Sequence, residues 1–174
     1  MRPFFLSTER IGFATWLVDD LALATALWGD PLVTRFHGGA WSRQQIEARL
    51  SLEIETYQTW GVQYWPVFLK ETDEHIGCCG FHVRDPPNGV WELGCHLRRA
   101  FWSKSLGREA AQAIIDYAFG TLGFKAVFAG HHPENVASQK FLELLGFRYT
   151  HDEYYPATQL MEPCYLLNRP HVRC

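Results

Sequence analysis

Three β-rich runs follow one another in the middle of the chain, and they restrict its architecture more than any other feature. They are VQYWPVFLK (62–70), HIGCCGFHV (75–83) and VWELGCHL (90–97). The segments ETDE and DPPNG join them. Connections this short fit β-hairpins, whereas parallel strands need much longer crossovers. The sequence therefore predicts an antiparallel three-stranded meander.

The residues before the meander predict one strand and two helices. Residues 10–17 are apolar enough for a short strand, and the Asp19–Asp20 pair begins a short helix. In WSRQQI, Ser42 and Gln45 have the spacing of a capping box. A second helix is therefore expected from about residue 43 to about residue 60.

After the meander the apolar residues change to a helical period. A helix is predicted over residues 106–119, followed by a strand over 124–130 and a helix that begins near Asn135 and ends at Gly146. Two terminal runs, 147–155 and 160–168, predict a last pair of strands. Pro163 indicates that the final strand is an edge strand, bulged or interrupted.

This order predicts a mixed α/β (α+β) fold with a mostly antiparallel sheet of about seven strands and about four flanking helices. With 174 residues, 47% of them hydrophobic, the chain can bury one substantial core, so we expect a single domain over residues 1–174. No window approaches the roughly 18 apolar residues of a membrane span, and no secretory leader is recognised. We therefore expect a cytoplasmic protein that does not bind membranes.

Charge and cysteine content narrow the classes of partner. The net charge of −3 lacks the basic footprint of a nucleic-acid-binding protein. The cysteines are odd in number and form no C-x-x-C pair, which argues against a disulfide framework; they are Cys78, Cys79, Cys95, Cys164 and Cys174. Cys78 and Cys79 could bind a metal together with His75 or His82. Their apolar neighbours favour buried strand cysteines instead, so we expect no metal.

The whole pattern resembles the GNAT acetyltransferases, in particular the branch of the RimJ and RimL ribosomal-protein N-terminal acetyltransferases. The similarity runs from LSTERI through HIGCCGF and ELGCHLRRAFW to ENVASQKFLELLGF. It implies the GNAT fold, in which the fourth and fifth strands splay apart around the thioester and pantetheine of acetyl-CoA. It also implies acetyl-CoA as co-substrate and an amine as acceptor. Members of this branch often dimerise, which makes a homodimer a further expectation.

By the same resemblance, FWSKSLGREA (101–110) contains the loop that binds the CoA pyrophosphate. The family's pattern falls on Trp102, Ser103, Lys104, Ser105, Leu106 and Gly107, with Arg108 next to it. Ser105 stands where the pattern has glycine, and Ser103 where this branch often has another. The first turn of a helix attracts a phosphate through its free N–H groups and partial positive charge. The serines leave two interpretations open, a pyrophosphate loop of altered geometry or a helix start that Ser105 merely caps.

The resemblance also assigns residues to the pantetheine. Backbone groups of Cys95, His96 and Leu97 would contact it, and Asn135 would line the cofactor side. The position of Asn135 before Val136 fits a helix N-cap equally well.

Acyl transfer from a thioester to an amine needs a base near the amine and an acid near the leaving sulfur. Many GNAT enzymes place a tyrosine as the acid where this chain has Phe141, whereas the RimL-like branch presents a serine that corresponds to Ser138. Glu92 is the first choice for the base, because it stands alone in the apolar strand VWELGCHL and burial would raise its pKa. His131 and His132 are the alternative bases.

Six aromatic residues lie near the early helices and the strand after them, and they could either bind a cationic amine or pack the core. They are Trp28, Trp41, Tyr57, Trp60, Tyr64 and Trp65. The combined prediction is an N-acyltransferase that moves an acetyl group from acetyl-CoA to a primary amine by direct attack in a ternary complex. The alternatives are a non-catalytic acyl-CoA-binding domain and a transferase for another acyl-CoA, such as succinyl-CoA.

Overall fold

The computed structural model describes residues 2–170, and Cys174 lies outside them. The strands are β1 (Leu6–Ser7), β2 (Ile11–Phe13), β3 (Tyr64–Leu69), β4 (His75–Asp85), β5 (Val90–Leu97), β6 (Ala126–Gly130), β7 (Arg148–Tyr155) and β8 (Leu160–Asn168). The α-helices are α1 (Leu21–Trp28), α2 (Pro31–Thr34), α3 (Arg43–Trp60), α4 (Leu106–Tyr117) and α5 (Val136–Leu144). Among these described helices, none combines the length and hydropathy needed to cross a membrane.

The strands form one sheet in the order β1-β2-β3-β4-β5-β6-β8-β7. Neighbouring strands are antiparallel throughout except for β5 and β6, which are parallel. The predicted mixed, mostly antiparallel sheet and its central meander β3-β4-β5 are confirmed. The sheet has eight described strands instead of about seven, because Leu6–Ser7 adds a short strand against β2. The one-turn helix α2 likewise raises the described α-helices from about four to five.

Each face of the sheet supports its own apolar cluster. On one face, Leu93 of β5 and Ile114 of α4 belong to a large core. On the other, Leu50 of α3 packs with Trp28 of α1. Because side chains alternate along a strand, neighbouring cysteines on β4 separate. Cys79 enters the first cluster and Cys78 the second, which rules out the metal site that would have used both.

Helix α3 begins at the predicted capping box and places a buried carboxylate against one face of the sheet. The Ser42 hydroxyl accepts from the Gln45 N–H, and Gly61 ends the helix with a left-handed φ of 70°. Glu53 of α3 is fully buried, and its carboxylate accepts hydrogen bonds from Arg49 Nε at 2.6 Å and from the Tyr64 N–H at 2.7 Å. The His82 Nε2 atom lies 2.9 Å from the same carboxylate. Glu53 thus ties α3 to β3 and β4.

Burial alone would raise the pKa of Glu53, but the hydrogen bond from His82 and the charge of Arg49 outweigh burial and lower that pKa below its ordinary value. The carboxylate is therefore ionised at neutral pH. A lowered pKa contributes stability above the unfolded-state value, and that stability is lost as the pH falls through the folded-state value.

The strands β5 and β6 separate soon after they pair. Their parallel register comprises Val90 with Ala126, Trp91 with Val127, and Glu92 with Phe128. Beyond Glu92, β5 stays paired with β4 alone as far as Leu97. On the other side of the opening, β6 stays paired with β8 as far as Gly130. The splay predicted between the fourth and fifth strands of the sequence pattern, which are β5 and β6, is therefore present.

Two local predictions were correct only in part. The helix predicted over residues 106–119 begins at Leu106 as expected, but its last turn differs. Helix α4 ends at Tyr117 and continues as a π-helical turn, Ala118–Leu122, before the left-handed Gly123 terminates it. Strand β8 is not at the edge, because it lies between β6 and β7. The pairing of β7 with β8 is irregular next to Pro163, where its register shifts between Tyr149 and His151. Pro163 is tolerated there because the β6 pairing ends at Cys164, the residue after it, so its missing N–H leaves no gap in that ladder.

Replacing Glu53 by alanine should lower the free energy of unfolding by about 3–5 kcal/mol, because the variant leaves the Arg49 charge buried without its partner. The matched control on the same helix is Glu47→Ala, which removes an exposed i,i+4 pair with Arg43. That control should change stability by less than about 0.5 kcal/mol. Urea denaturation of both variants measures the difference. Equal losses would contradict the role given to Glu53.

Candidate active site

A cavity of about 640 Å³ lies where β5 and β6 separate. Its lining includes Leu93 and Phe141, which belong to the face that carries α4 and α5. It also includes Trp41 and Tyr64, which belong to the face that carries α1 and α3. The cavity therefore passes through the opening in the sheet. Seven of the predicted site residues line it: Glu92, Cys95, His96, His131, His132, Asn135 and Ser138.

The predicted pyrophosphate loop lies beside this cavity rather than in its lining. Gly107, at the start of α4, connects the two. A Cβ at position 107 would lie 3.3 Å from Leu97 Cδ1 and 3.8 Å from Cys95 Sγ. Glycine at this position thus allows the first turn of α4 to pack closely against the end of β5.

Both loop serines adopt the backbone conformation that glycine favours. Ser103 has φ of 58° and Ser105 has φ of 60°. Ser105 precedes α4, but its hydroxyl makes no capping hydrogen bond, so the interpretation that it merely caps the helix through its side chain is wrong. The backbone of the loop therefore has the conformation that glycine would adopt, although serine occupies both positions.

In this conformation, consecutive backbone N–H groups of the loop make no hydrogen bond within the part of the chain that the structure describes. Within residues 2–170, no backbone or side-chain group accepts a hydrogen bond from the N–H groups of residues 103–108. Lys104 and Arg108 are exposed beside them. Leu106 is buried at 4% exposure, so only its backbone can face a ligand. Free amides at the first turn of a twelve-residue helix form an anion-binding geometry.

Trp102 and Leu97 contact each other directly. The Trp102 Nε1–H donates to the Leu97 carbonyl oxygen at 2.8 Å, which joins the start of the loop to the end of β5. One of the backbone acceptors expected to face pantetheine is therefore already used by the loop.

Helix α5 presents Asn135 and Ser138 to the cavity. The Asn135 side-chain oxygen accepts from the Ser138 N–H at 3.2 Å, so Asn135 caps the helix and also lines the cavity. Both interpretations of Asn135 are compatible with this geometry. Phe141 lies one turn further along the same lining and carries no exchangeable proton.

Glu92 is the last β5 residue that pairs with β6, so its side chain stands at the edge of the opening. Burial raises the pKa of Glu92 above its ordinary value, against the opposing charges of Arg84 and His82. Arg84 is engaged elsewhere, because its guanidinium forms a salt bridge with Glu153. A raised pKa makes this carboxylate a stronger base than an ordinary glutamate, which suits it to accept a proton at the edge of the opening.

His131 lies on the same cavity, but both of its ring nitrogens face protein groups. Its Nδ1 lies 2.8 Å from the His132 carbonyl oxygen, and its Nε2 lies 3.4 Å from the Tyr165 hydroxyl. A carbonyl only accepts, so Nδ1 carries the proton and donates it. His132 Nδ1 in turn accepts from the Glu134 N–H at 3.1 Å. These contacts favour Glu92 over either histidine as the base.

The six aromatic residues divide into three groups. Trp28 and Trp65 are buried in the core, and Tyr57 and Trp60 are exposed. Trp41 and Tyr64 line the cavity. The rings do surround a cation, but it is the protein's own Arg49, whose Cζ lies 4.9 Å from the Tyr64 ring, 5.5 Å from that of Trp28 and 6.0 Å from that of Trp41.

The sequence interpretation missed Arg49 and Glu53. The sequence shows the i,i+4 spacing of Arg49 and Glu53 in helix α3. Arg43 and Glu47 have the same spacing, however, and they form an exposed pair. Only the packing of α3 on the sheet distinguishes the two. Burial on this face also affects His96, whose Nδ1 accepts from Trp28 Nε1 at 3.1 Å. Burial lowers the pKa of His96 well below its ordinary value, so its ring is neutral.

One trio of described side chains lies close enough to hold a metal ion, and it differs from the Cys78–Cys79 group considered from the sequence. His151, Glu153 and Cys164 have ligand atoms within 4.8 Å of one another. The Glu153 carboxylate is already bound by Arg84, and burial raises the pKa of the Cys164 thiol to about 11. Both features work against metal binding, since metal ligation needs a free carboxylate and a thiolate.

Replacing Ser103 or Ser105 by glycine should raise the free energy of unfolding by about 0.5–1 kcal/mol each, because glycine relieves the cost of a left-handed φ. Ser51→Gly within α3 is the matched control and should lower stability by about 0.5 kcal/mol. Chemical denaturation measures all three. Destabilisation by the loop substitutions would mean that the serine side chains hold the loop together.

Both the sequence and the fold of this chain are similar to those of known proteins. The family model of the acetyltransferase (GNAT) domain matches residues 10–148. The Bacillus licheniformis protein named Uncharacterized N-acetyltransferase p20 is 34% identical over 149 residues, which cover 82% of each chain. The crystal structure of a GNAT-family acetyltransferase from Bacillus anthracis has a TM-score of 0.81 at 19% identity, covering 94% of this chain and 98% of that one.

The RimL ribosomal L7/L12 alpha-N-protein acetyltransferase shares the same fold. Its crystal structure has a TM-score of 0.82 at 14% identity and covers 97% of this chain and 95% of its own. At that identity the likeness concerns the fold alone. The family-model match and the p20 relative decide the family. The chain belongs to the GNAT acetyltransferases.

Proposed function

We propose that this enzyme moves an acetyl group from acetyl-CoA to a primary amine by direct attack in a ternary complex. The observation that carries the proposal is the cavity through the splay of β5 and β6, which opens to both faces of the sheet. A cofactor entering from the face of α4 and α5 can meet an acceptor entering from the face of α1 and α3. No covalent enzyme intermediate is then needed, and the protein contributes mainly positioning.

The face of the sheet that carries α4 and α5 would bind the cofactor. It offers hydrogen-bond donors to the phosphates and a serine hydroxyl to the thioester. The free amides of residues 103–108 suit the pyrophosphate. Cys95, His96 and Asn135 line the path that pantetheine would take. Ser138, from the first turn of α5, would hydrogen-bond or protonate the leaving sulfur.

The acceptor side supplies the base. Glu92 takes a proton from the amine, directly or through one water, as the new C–N bond forms. An acetyl donor suits this cavity better than a succinyl donor, because Arg49 and Arg84 in the lining already face Glu53 and Glu153. The acceptor is a small amine or a protein N-terminus.

The direct test of this function has two stages. Calorimetry with acetyl-CoA measures binding, and a thiol-release assay then measures turnover on a panel of polyamines, amino acids and short peptides with free N-termini. Binding followed by turnover of at least one amine supports the proposal. Binding without turnover on the whole panel would favour the rival function, a non-catalytic acyl-CoA-binding domain.

Replacing Ser138 by alanine should lower kcat at least about tenfold while the Kd for acetyl-CoA stays the same, because the hydroxyl acts on the leaving thiolate. The backbone N–H that Asn135 caps is unchanged in this variant. Ser51→Ala on the exposed surface of α3 is the control. Unchanged turnover would exclude this role for Ser138.

Replacing Glu92 by glutamine should remove the acidic limb of the pH–rate profile. A base with a raised pKa is active above that pKa, so wild-type activity is lost as the pH falls through it. The glutamine variant should be slower by about 10²–10⁴-fold and lack that limb. His131→Ala should keep the limb. If the limb persists in Glu92→Gln and disappears in His131→Ala, the base is His131.

A further inference from the structure

Tyr64 stands in a row of residues that runs across three strands towards the opening. Tyr64 of β3 pairs with Gly80 of β4, and Gly80 pairs with Gly94 of β5. The neighbouring row contains His82, Glu92 and Phe128, which is the last row that reaches β6. Gly94 is therefore the first β5 residue on the acceptor face beyond the point where the strands separate.

The phenol of Tyr64 lies directly on Gly94. A Cβ at position 94 would be 2.1 Å from Tyr64 Cζ and 2.5 Å from its Oη. Only glycine leaves this space. The ring reaches across the strand between them, and its hydroxyl end is brought to the edge of the opening. Both Tyr64 and Gly94 line the cavity.

Several contacts hold the ring in this orientation. It stacks on the His82 imidazole with centroids 3.9 Å apart and an interplanar angle of 17°. The Arg49 guanidinium carbon lies 4.9 Å from its centroid. The Tyr64 N–H donates to Glu53, and its carbonyl oxygen accepts from Trp16 Nε1 at 2.7 Å. The same buried ion pair that joins α3 to the sheet thus fixes this side chain.

The hydroxyl itself has no partner in the protein. Within residues 2–170, Tyr64 Oη neither donates nor accepts a hydrogen bond, although the residue is only 7% exposed. Burial and the charge of Glu92 raise the pKa of Tyr64 well above its ordinary value, so the hydroxyl keeps its proton. Tyr64 lines the cavity and its Oη is not among the buried atoms that lack a partner, so a ligand in the cavity can accept its hydrogen bond.

We propose that Tyr64 Oη donates a hydrogen bond to the acyl oxygen of the thioester as negative charge develops on it. The role rests on the acyl transfer proposed above. The amine nitrogen attacks the carbonyl carbon, the C–N bond forms and the carbonyl electron pair moves to the oxygen, where Tyr64 stabilises it. Glu92 removes the nitrogen proton, the C–S bond breaks as the carbonyl reforms, and the thiolate takes a proton from Ser138 or water.

Two side chains on the same face of the sheet then act on different atoms. Glu92, in the last row that pairs with β6, accepts the proton of the amine. Tyr64, in the next row, donates a hydrogen bond to the acyl oxygen. A donor aimed at a developing oxyanion stabilises the transition state more than the ground state, and removing one such donor typically lowers kcat by about 10²–10³-fold. Tyr64 would then be a catalytic residue on β3, separate from Ser138 on α5.

Tyr64→Phe removes only the hydroxyl and is the primary test. With an amine that the wild type acetylates, kcat and kcat/KM should fall together by about 100-fold, with KM for both substrates unchanged. The Kd for acetyl-CoA by calorimetry and the Tm should also stay the same, since no protein hydrogen bond is lost. Tyr57→Phe, on an exposed part of α3 outside the cavity, is the matched control and should retain full activity.

Gly94→Ala provides an independent variant that keeps the hydroxyl. Its Cβ displaces the Tyr64 ring, so the same loss of kcat is expected. An unchanged kcat in Tyr64→Phe overturns the role of Tyr64 and leaves the acetyltransferase function standing. A rise in the amine KM alone would also overturn it, because that result assigns Tyr64 to acceptor binding. A wild-type enzyme without turnover on any amine overturns the proposed function and this role together.

Discussion

The parallel pairing of β5 and β6 stops after Glu92 and Phe128, and the site depends on that interruption. Each strand stays paired with its outer neighbour, β5 with β4 and β6 with β8, so only the two inner edges, which face each other across the opening, are left unpaired. A sheet normally separates the molecules on its two faces. Here the opening joins them, which allows a thioester on one face to be reached by a nucleophile on the other.

The acceptor face is organised by one buried carboxylate. Glu53 receives hydrogen bonds from Arg49, from the Tyr64 backbone and from His82, which come from a helix and two strands. A buried ion pair contributes little net stability compared with apolar packing, but breaking it is costly. Its evident effect is on orientation, because the Arg49 and His82 side chains that it holds lie against the ring of Tyr64.

The sequence was sufficient for features that depend on local chemistry and insufficient for those that depend on distant packing. The capping box of Ser42 and the hairpin connections predicted α3 and the meander correctly. The place of β8 inside the sheet could not be predicted from Pro163, because strand order is a long-range property. The left-handed φ of Ser105 was equally hidden, since serine rarely adopts it. Resemblance to GNAT enzymes located the loop, but its geometry came from the structure.

The most direct test of the account is a crystal structure of the enzyme with CoA bound. We expect the pyrophosphate to accept hydrogen bonds from the backbone amides of residues 103–108, and the thiol to lie in the opening between β5 and β6, close to Ser138. The Tyr64 hydroxyl and the Glu92 carboxylate should face the thiol from the other side of the sheet. A cofactor that binds without contacting those amides, or whose thiol stays outside the opening, would contradict the account.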